Sequence, residues 1–364
     1  MRQKIKCYGM AFAIPILVMV VGFAIAGVYP FGGRSALVID GVHQYLPFFT
    51  EYYRQLKQGA SLFYSWAGGL GYNFFAVWAY YLSSPLNLLV LLFKEQFLNE
   101  AVTLIMLIKV GLSAVTMTWY LKNKRQRLDY LAVAFGLMYA LSNYVIGYSS
   151  NVMWLDCMLL LPVAAEGIER IVRSNKGALY GISMFAIIAS NYYVGFIVCM
   201  FACMYFIVQL IARGKDEINQ FIKKLCLFGG YSLLAGGTAA MILLPSIKVL
   251  GLTAAAGAKE PLTGLVYSSI LQPLSRLLFY TRQISTSAFK GDVNIYCGVG
   301  VFLFFILYMF NKRINKRERA AKIALLGILY LGFCFQALNL ILHGMHKPVG
   351  FPNRYACTFQ WHCL

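Results

Sequence analysis

Asp40 and His43 stand three residues apart in Ile39-Asp40-Gly41-Val42-His43-Gln44-Tyr45, just after an apolar run. A carboxylate at the edge of a cavity can take a proton from a hydroxyl or ligate a metal. The plainer reading makes Asp40 the cap of the segment that follows, with His43 at its start. A second acid, Asp156, opens another apolar run in Asn151-Val152-Met153-Trp154-Leu155-Asp156. It is either a second active-site carboxylate or a charge favoured at a helix start. Lys109 lies well inside an apolar run, where a charge is costly unless it meets a lipid phosphate or a buried acid. Arg354, in Pro352-Asn353-Arg354-Tyr355, carries a planar fork suited to phosphate, or else serves as an interfacial anchor. Trp66-Ala67-Gly68-Gly69-Leu70-Gly71-Tyr72-Asn73 is glycine-rich but lacks the strand-loop-helix context of a phosphate loop. Its aromatic residues suit sugar stacking or interfacial anchoring.

The elements that must position these groups are membrane elements. The chain has 364 residues, 60% of them apolar and 12% charged, with a mean hydropathy of +0.66. No soluble domain hides that much apolar surface, so the class is an all-α polytopic integral membrane protein. The first run, about 10–28, follows Arg2, Lys4 and Lys6. It is too long for a signal-peptide core and has no small-x-small cleavage site, so it reads as a spanning helix. Nine cysteines, mostly within apolar runs and without a C-x-x-C pair, read as packing residues rather than as a disulfide or zinc framework. The net charge of +19 is explained by sorting across a membrane, so no nucleic-acid partner is expected.

Runs long enough to span are 8–28, 101–121, 130–148, 153–171, 178–190, 192–212, 225–249, 295–310 and 322–342, within a single transmembrane domain covering 1–364. Basic clusters at 1–6, 122–127, 170–176, 213–224 and 312–322 hold 20 of the 32 Lys and Arg residues. They fall on one side, the cytoplasmic one, only if the run 75–93 does not cross. Residues 29–100 then form one long outer loop. Within it, His43 to Gln58 places His43, Tyr45, Phe48, Phe49, Tyr52 and Tyr53 opposite Gln44, Glu51, Arg54, Gln55 and Lys57, the pattern of an amphipathic interfacial helix. Ser84 and Pro85 start a second interfacial or dipping helix as N-cap and first helical residue. Ser190-Asn191-Tyr192-Tyr193-Val194-Gly195 reads as a tight outer turn, with a single broken helix as the alternative. Further outer loops are expected at 250–294 and 343–356. The last apolar run, 356–364, is too short to span, and the expectation is an interrupted chain.

Taken in order, Asp40-Gly41-Val42-His43-Gln44-Tyr45, Trp66-Ala67-Gly68-Gly69-Leu70-Gly71, Tyr81-Leu82-Ser83-Ser84-Pro85-Leu86-Asn87-Leu88-Leu89, Trp154-Leu155-Asp156 with Leu161-Pro162, Ser190 to Gly195, and Pro352-Asn353-Arg354-Tyr355 resemble the bacterial YfhO family over nearly the whole chain. More loosely, the chain resembles the GT-C class of membrane glycosyltransferases, a helical bundle whose long first outer loop carries an acid and interfacial helices. The resemblance implies inverting transfer of a sugar, N-acetylglucosamine in the YfhO-like case, from an undecaprenyl or other polyprenyl phosphate to a cell-envelope acceptor such as lipoteichoic acid. The reaction would take place on the outer face of the bacterial cytoplasmic membrane. It gives Asp40 the role of first-loop acid and Asp156 that of a second catalytic acid. The substrate-binding set expected with them is His43, Tyr45, Trp66, Lys109, Asn191, Tyr192, Asn353 and Arg354. Whether a divalent metal takes part is left open, and no other cofactor is assigned. The resemblance also implies further spans and outer segments well past the Asn-Arg-Tyr motif, so the expectation is that this chain is a fragment.

An enzyme facing outward has no nucleotide sugar and must draw an activated donor from the lipid. A lipid-linked-sugar transporter or flippase is the alternative from another class, and it would carry polar groups at mid-depth on several helices. Here Lys109 is the clear instance. A non-catalytic, truncated homologue is the third reading.

Overall fold

The computed structural model describes residues 2–214, 219–252, 266, 268–279, 293–345, 351 and 353–364. Among them the chain is helical throughout, with isolated bridges and no strand. The protein is an all-α polytopic membrane protein. Among the described residues five helices are long and apolar enough to cross a membrane, or six if one sharply bent pair counts as a span.

The first helix, α1 (Arg2–Ala26), buries only Cys7, Ala11, Pro15 and Met19. That spacing of four is one narrow stripe, and the rest of the helix can face lipid. The stripe side lies against α4 (Leu98–Arg125), where a Cβ on Gly111 would sit 2.8 Å from the Phe12 ring. From α4 the chain turns into α5 (Tyr130–Ala140), whose Gly136 lies so close to α4 that a Cβ would be 2.7 Å from the Ala114 carbonyl oxygen. A short helix, α6 (Asn143–Gly147), leads into α7 (Val152–Ser174), the central helix and one buried on nearly all sides.

Charges keep α7 from reading as a plain apolar span, yet its acids all have partners. Glu166 accepts from Arg170 and Arg173, and Glu169 accepts from Lys124, Tyr120 and Tyr205. Buried acids at membrane depth persist only when paired in this way. The next helix, α8 (Ala178–Ser190), runs antiparallel to α7, with Tyr180 against Gly167 and Ile187 beside Cys157. Its successor α9 (Tyr192–Arg213) descends again to bring Tyr205 to Glu169. Asn191 is therefore a one-residue turn between two helices, not a kink in one.

The segment between α1 and α4 begins and ends at the same end of the bundle. Ser35, just past α1, donates to Asn99 at the start of α4, 2.7 Å away. Within the segment, a π-helical turn (Gly41–Tyr45) runs into α2 (Leu46–Gln58). The chain then folds into a bent pair: α3 (Phe74–Val77), continued by the turn Trp78–Leu82, meets the 3₁₀ helix Pro85–Leu92 at 100°. The Phe74 amide bonds back to Phe63, and Tyr53 and Arg54 of α2 bond Phe93 and Glu95. The two ends of the hairpin thus lie beside α2 and the residues that follow it, while its bend reaches Lys109, about 16 Å along α4 from Leu98 at 1.5 Å per residue. Ser84 is the N-cap residue of the second arm, as expected, but its hydroxyl caps nothing and bonds Asp156 instead.

Helices Phe221–Leu250, Val299–Phe310 and Lys316–Cys334 complete the outer layer. The expected run 322–342 is interrupted at Phe335, which is extended, and a short helix, Gln336–Leu342, follows. The carbonyls freed by the break find new donors in Asn339 and Ser268, which keeps the irregular backbone tolerable inside the bundle. Most of the expected loop 250–294 lies outside the described residues.

Candidate active site

Asp40 stands in a strained stretch of backbone. Ile39 before it has φ +51°, a left-handed conformation that a β-branched residue adopts only when its surroundings impose it. The imposing contacts are close at hand: the amides of Gly41, Val42 and His43 fold back onto the carbonyls of Val38 and Ile39. A Cβ on Gly41 would lie 3.1 Å from Leu37 and 3.5 Å from Ser150. Asp40 occupies the cap position of the π-helical turn without a side-chain capping bond, so the plainer reading of this acid does not account for its carboxylate. Among the described residues that half-buried carboxylate makes no hydrogen bond and no ion pair.

A wall of tyrosines leads away from Asp40. Tyr45 is buried and donates to Asn151 at 2.7 Å, and its ring centroid is 5.3 Å from that of Tyr81. Burial first, then the neighbouring Tyr81 and the Asp40 charge, hold the Tyr45 phenol above its ordinary pKa, and the Arg354 charge opposes them. Tyr81 packs on Tyr80 at 4.5 Å and receives a hydrogen bond from Gln44 at 3.3 Å. Tyr80 in turn meets Tyr192 at 5.5 Å and Tyr193 at 6.5 Å. Asn191 fixes this junction. Its Oδ1 caps α9 by accepting from the Val194 amide, and its Nδ2 donates to the Tyr80 carbonyl.

Arg354 closes the far end of the wall. Its guanidinium lies 4.8 Å from the centroid of the Tyr193 ring and 5.1 Å from that of Trp154. Its Nε donates to the Phe351 carbonyl, its amide to His343 Nε2, and its carbonyl accepts from Tyr144. Two aromatic faces and a carbonyl preorganise the plane of the cation, as arginine stacking allows and a lysine would not. Asn353 acts one step further back, in a left-handed conformation and bonded to Asn339 at 2.7 Å. Pro352 lies outside the described residues.

Beneath the wall sits an ion pair. Lys109 Nζ is 2.6 Å from Asp156 Oδ2, and the Lys109 side chain is 0% exposed. Lys109 also donates to Asn87 Oδ1 and the Val152 carbonyl, and Ser84 donates to Asp156 Oδ1 at 2.7 Å. Asp156 and Lys109 therefore spend their charges on each other and on the hairpin bend. Of the two alternatives for Lys109, the structure shows the buried pair with an acid. Asp156, two residues beyond Trp154, supports the site from below and does not face it as a second free carboxylate.

Two expected residues stand apart. His43 is exposed, with no hydrogen bond among the described residues. Trp66 is 77% exposed, packs edge-on against Tyr64, and rides on a turn closed by the Ser65–Tyr72 bridge and tied to Glu51. Among the described residues no group of three His, Cys, Asp or Glu side chains could hold a metal. Sequence reasoning did not single out Tyr80, Tyr81, Tyr193 or Trp154 as individual site residues. The available signal was their adjacency to motif residues, with Tyr80 and Tyr81 just before Ser83-Ser84-Pro85 and Trp154 two before Asp156.

The profile describing the bacterial membrane protein YfhO matches residues 10–362. The chain belongs to the YfhO family. In this YfhO-family protein the matched region contains the tyrosine wall, both ends of it and the ion pair beneath. No match was found among curated proteins.

Proposed function

We propose that this YfhO-family protein is a membrane glycosyltransferase that moves a sugar from a polyprenyl-phosphate carrier to a cell-envelope acceptor such as lipoteichoic acid, on the outer face of the bacterial cytoplasmic membrane. The observation that carries the reading is the pairing, along one aromatic wall, of an unengaged carboxylate at one end and a stacked arginine at the other. Asp40 removes the proton from an acceptor hydroxyl as its oxygen forms the new bond to the anomeric carbon. The bond from that carbon to the lipid phosphate breaks on the opposite side, with inversion. The electron pair leaves with the phosphate oxygen, whose charge Arg354 stabilises. The tyrosine faces give a sugar ring a stacking surface between the two. Asp156 and Lys109 position the hairpin that carries Tyr80 and Tyr81.

The test is transfer by the purified protein from a radiolabelled polyprenyl-phosphate sugar to lipoteichoic acid, wild type against Asp40→Asn. Transfer that falls by a factor of about 10² or more in a folded variant supports the assignment. An Asp40→Asn protein working at the wild-type rate removes the base, and a wild type with no transfer removes the reaction.

A further inference from the structure

A second site lies at the opposite end of the bundle from Asp40. The 28 residues of α4 extend about 42 Å. Asn99 at one end of α4 bonds the loop before Asp40, and Lys124 at the other lines a cavity of about 270 Å³ between α9, Val299–Phe310 and Lys316–Cys334.

The polar lining of this cavity is rich in donors. Lys124 is 2.6 Å from Glu169 and Lys322 is 2.6 Å from Glu318, each ammonium having that one carboxylate as its acceptor among the described residues. Three N–H groups on each leave donors to spare. Trp361 is 3% exposed, its ring packed between Tyr120 and Tyr205 at 5.2 Å from each. Its Nε1 has no partner among the described residues, and a buried N–H without an acceptor is costly. Glu169 does not serve them all: Lys124, Tyr120 and Tyr205 converge on its Oε1, and the Trp361 N–H reaches neither of its oxygens. What the cavity lacks is an acceptor with several oxygens.

Next to it is a cavity of about 420 Å³ that shares Phe305, Ile323, Leu326 and Cys363 with the first, and whose further walls include Leu274, Val301 and Phe359. The donor-lined space therefore adjoins a hydrocarbon-lined one. We propose that the two cavities together bind a phosphate-bearing lipid, its phosphate at Lys124, Lys322 and Trp361 and its chain along the helix Lys316–Cys334. This site is separate from the one at Asp40 and does not rest on the reaction assigned there. Phosphate on a lipid can come from a polyprenyl monophosphate or from an anionic phospholipid, and the chemistry described serves either.

The experiment is native mass spectrometry and thermal unfolding of the full chain in detergent with a polyprenyl monophosphate, phosphatidylglycerol, or an uncharged polyprenol. Retention and stabilisation by either phosphate lipid and not by the polyprenol is the expected result. A response to the first alone that is lost in Lys322→Gln makes the carrier the source, and a response to the second alone that is lost in Lys322→Gln makes it the phospholipid. Lys322→Gln and Trp361→Phe, which keep side-chain bulk, are each expected to weaken binding tenfold or more. Leu326→Trp, which narrows the junction of the cavities without touching a polar group, is expected to weaken it as well. Equal binding of the polyprenol, or phosphate-lipid affinity unchanged in both Lys322→Gln and Trp361→Phe, overturns the proposal.

Discussion

Lys109 and Asp156 meet at 2.6 Å where the hairpin bend is wedged between α4 and α7, and Ser84 and Asn87 of the bend complete their hydrogen bonding. Removing one charge strands the other in a buried site, where the two side chains are 0% and 5% exposed. Lys109→Met is therefore expected to destabilise the protein by about 3–5 kcal/mol, while Lys109→Met/Asp156→Leu, which removes both charges, recovers much of that loss. Thermal or denaturant unfolding in detergent compares the two. A double variant no more stable than Lys109→Met would show that the bend needs the charges themselves.

The acid at Asp40 should behave in the opposite way. Its carboxylate makes no hydrogen bond among the described residues, so Asp40→Asn is expected to leave the unfolding midpoint within the range of ordinary surface substitutions, about 0.5 kcal/mol either way. Sugar transfer is expected to fall by about 10²–10⁴. The contrast between these two acids is the check, because a purely structural Asp40 would lose stability and activity together.

That contrast also marks where the sequence was legible and where it was not. Composition and apolar run length identify the polytopic helical class, and α1, α4 and α9 appear where the runs place them. Charge sorting implies that 75–93 does not cross; in the fold the start of that segment bonds Phe63 through the Phe74 amide, and its end bonds Tyr53 through the Phe93 carbonyl. Partnering was harder to read. Asp40 and Asp156 look alike as acids at the edges of apolar runs, and only the fold puts a lysine 47 residues upstream in sequence against one of them. The tyrosine wall was hidden for a related reason: its members come from three separate stretches, and no local spacing joins Tyr45, Tyr81 and Tyr193. The break at Phe335 had no apolar signal, because the run continues through it and the compensating donors, Asn339 and Ser268, come partly from another segment.

Arg354 is held as a plane between Trp154 and Tyr193, so charge alone should not replace it. Arg354→Gln is expected to lower kcat for transfer by about 10²–10³, the cost of losing one donor aimed at developing charge. Arg354→Lys should recover only part of this, since an ammonium does not stack or fork. Initial rates over a range of lipid-donor concentrations separate this from a loss confined to KM, which would mean ground-state binding rather than stabilisation of the departing phosphate.

Asn191 joins α9 to the hairpin through the Val194 amide and the Tyr80 carbonyl. Asn191→Ala removes an N-cap and a buried donor at once, at an expected cost of about 1–3 kcal/mol. Asn191→Asp keeps the cap acceptor but sets a buried carboxylate oxygen against the Tyr80 carbonyl, so it should cost at least as much stability as Asn191→Ala and also loosen the Tyr80–Tyr192 contact. Unfolding midpoints rank the three proteins.

Gly167 offers the sharpest test of the packing that carries the site. A Cβ there would fall 2.6 Å from the backbone nitrogen and Cα of Tyr180, and neither atom can swing aside as a side chain would. Gly167→Val must push α8 off α7, which displaces the α8–α9 turn and with it Tyr192 and Tyr193. Overpacking of this kind costs about 1–3 kcal/mol or more, and the expected result is poor yield of folded protein and a lowered unfolding midpoint. The matched control is Gly229→Ala in helix Phe221–Leu250, where a Cβ meets nothing within 4 Å. There the helix propensity gained by alanine should leave stability unchanged or raise it by up to about 1 kcal/mol. Size-exclusion profiles and melting curves of the pair decide it: equal behaviour of the two variants would mean that α7 and α8 do not approach as closely as these contacts require.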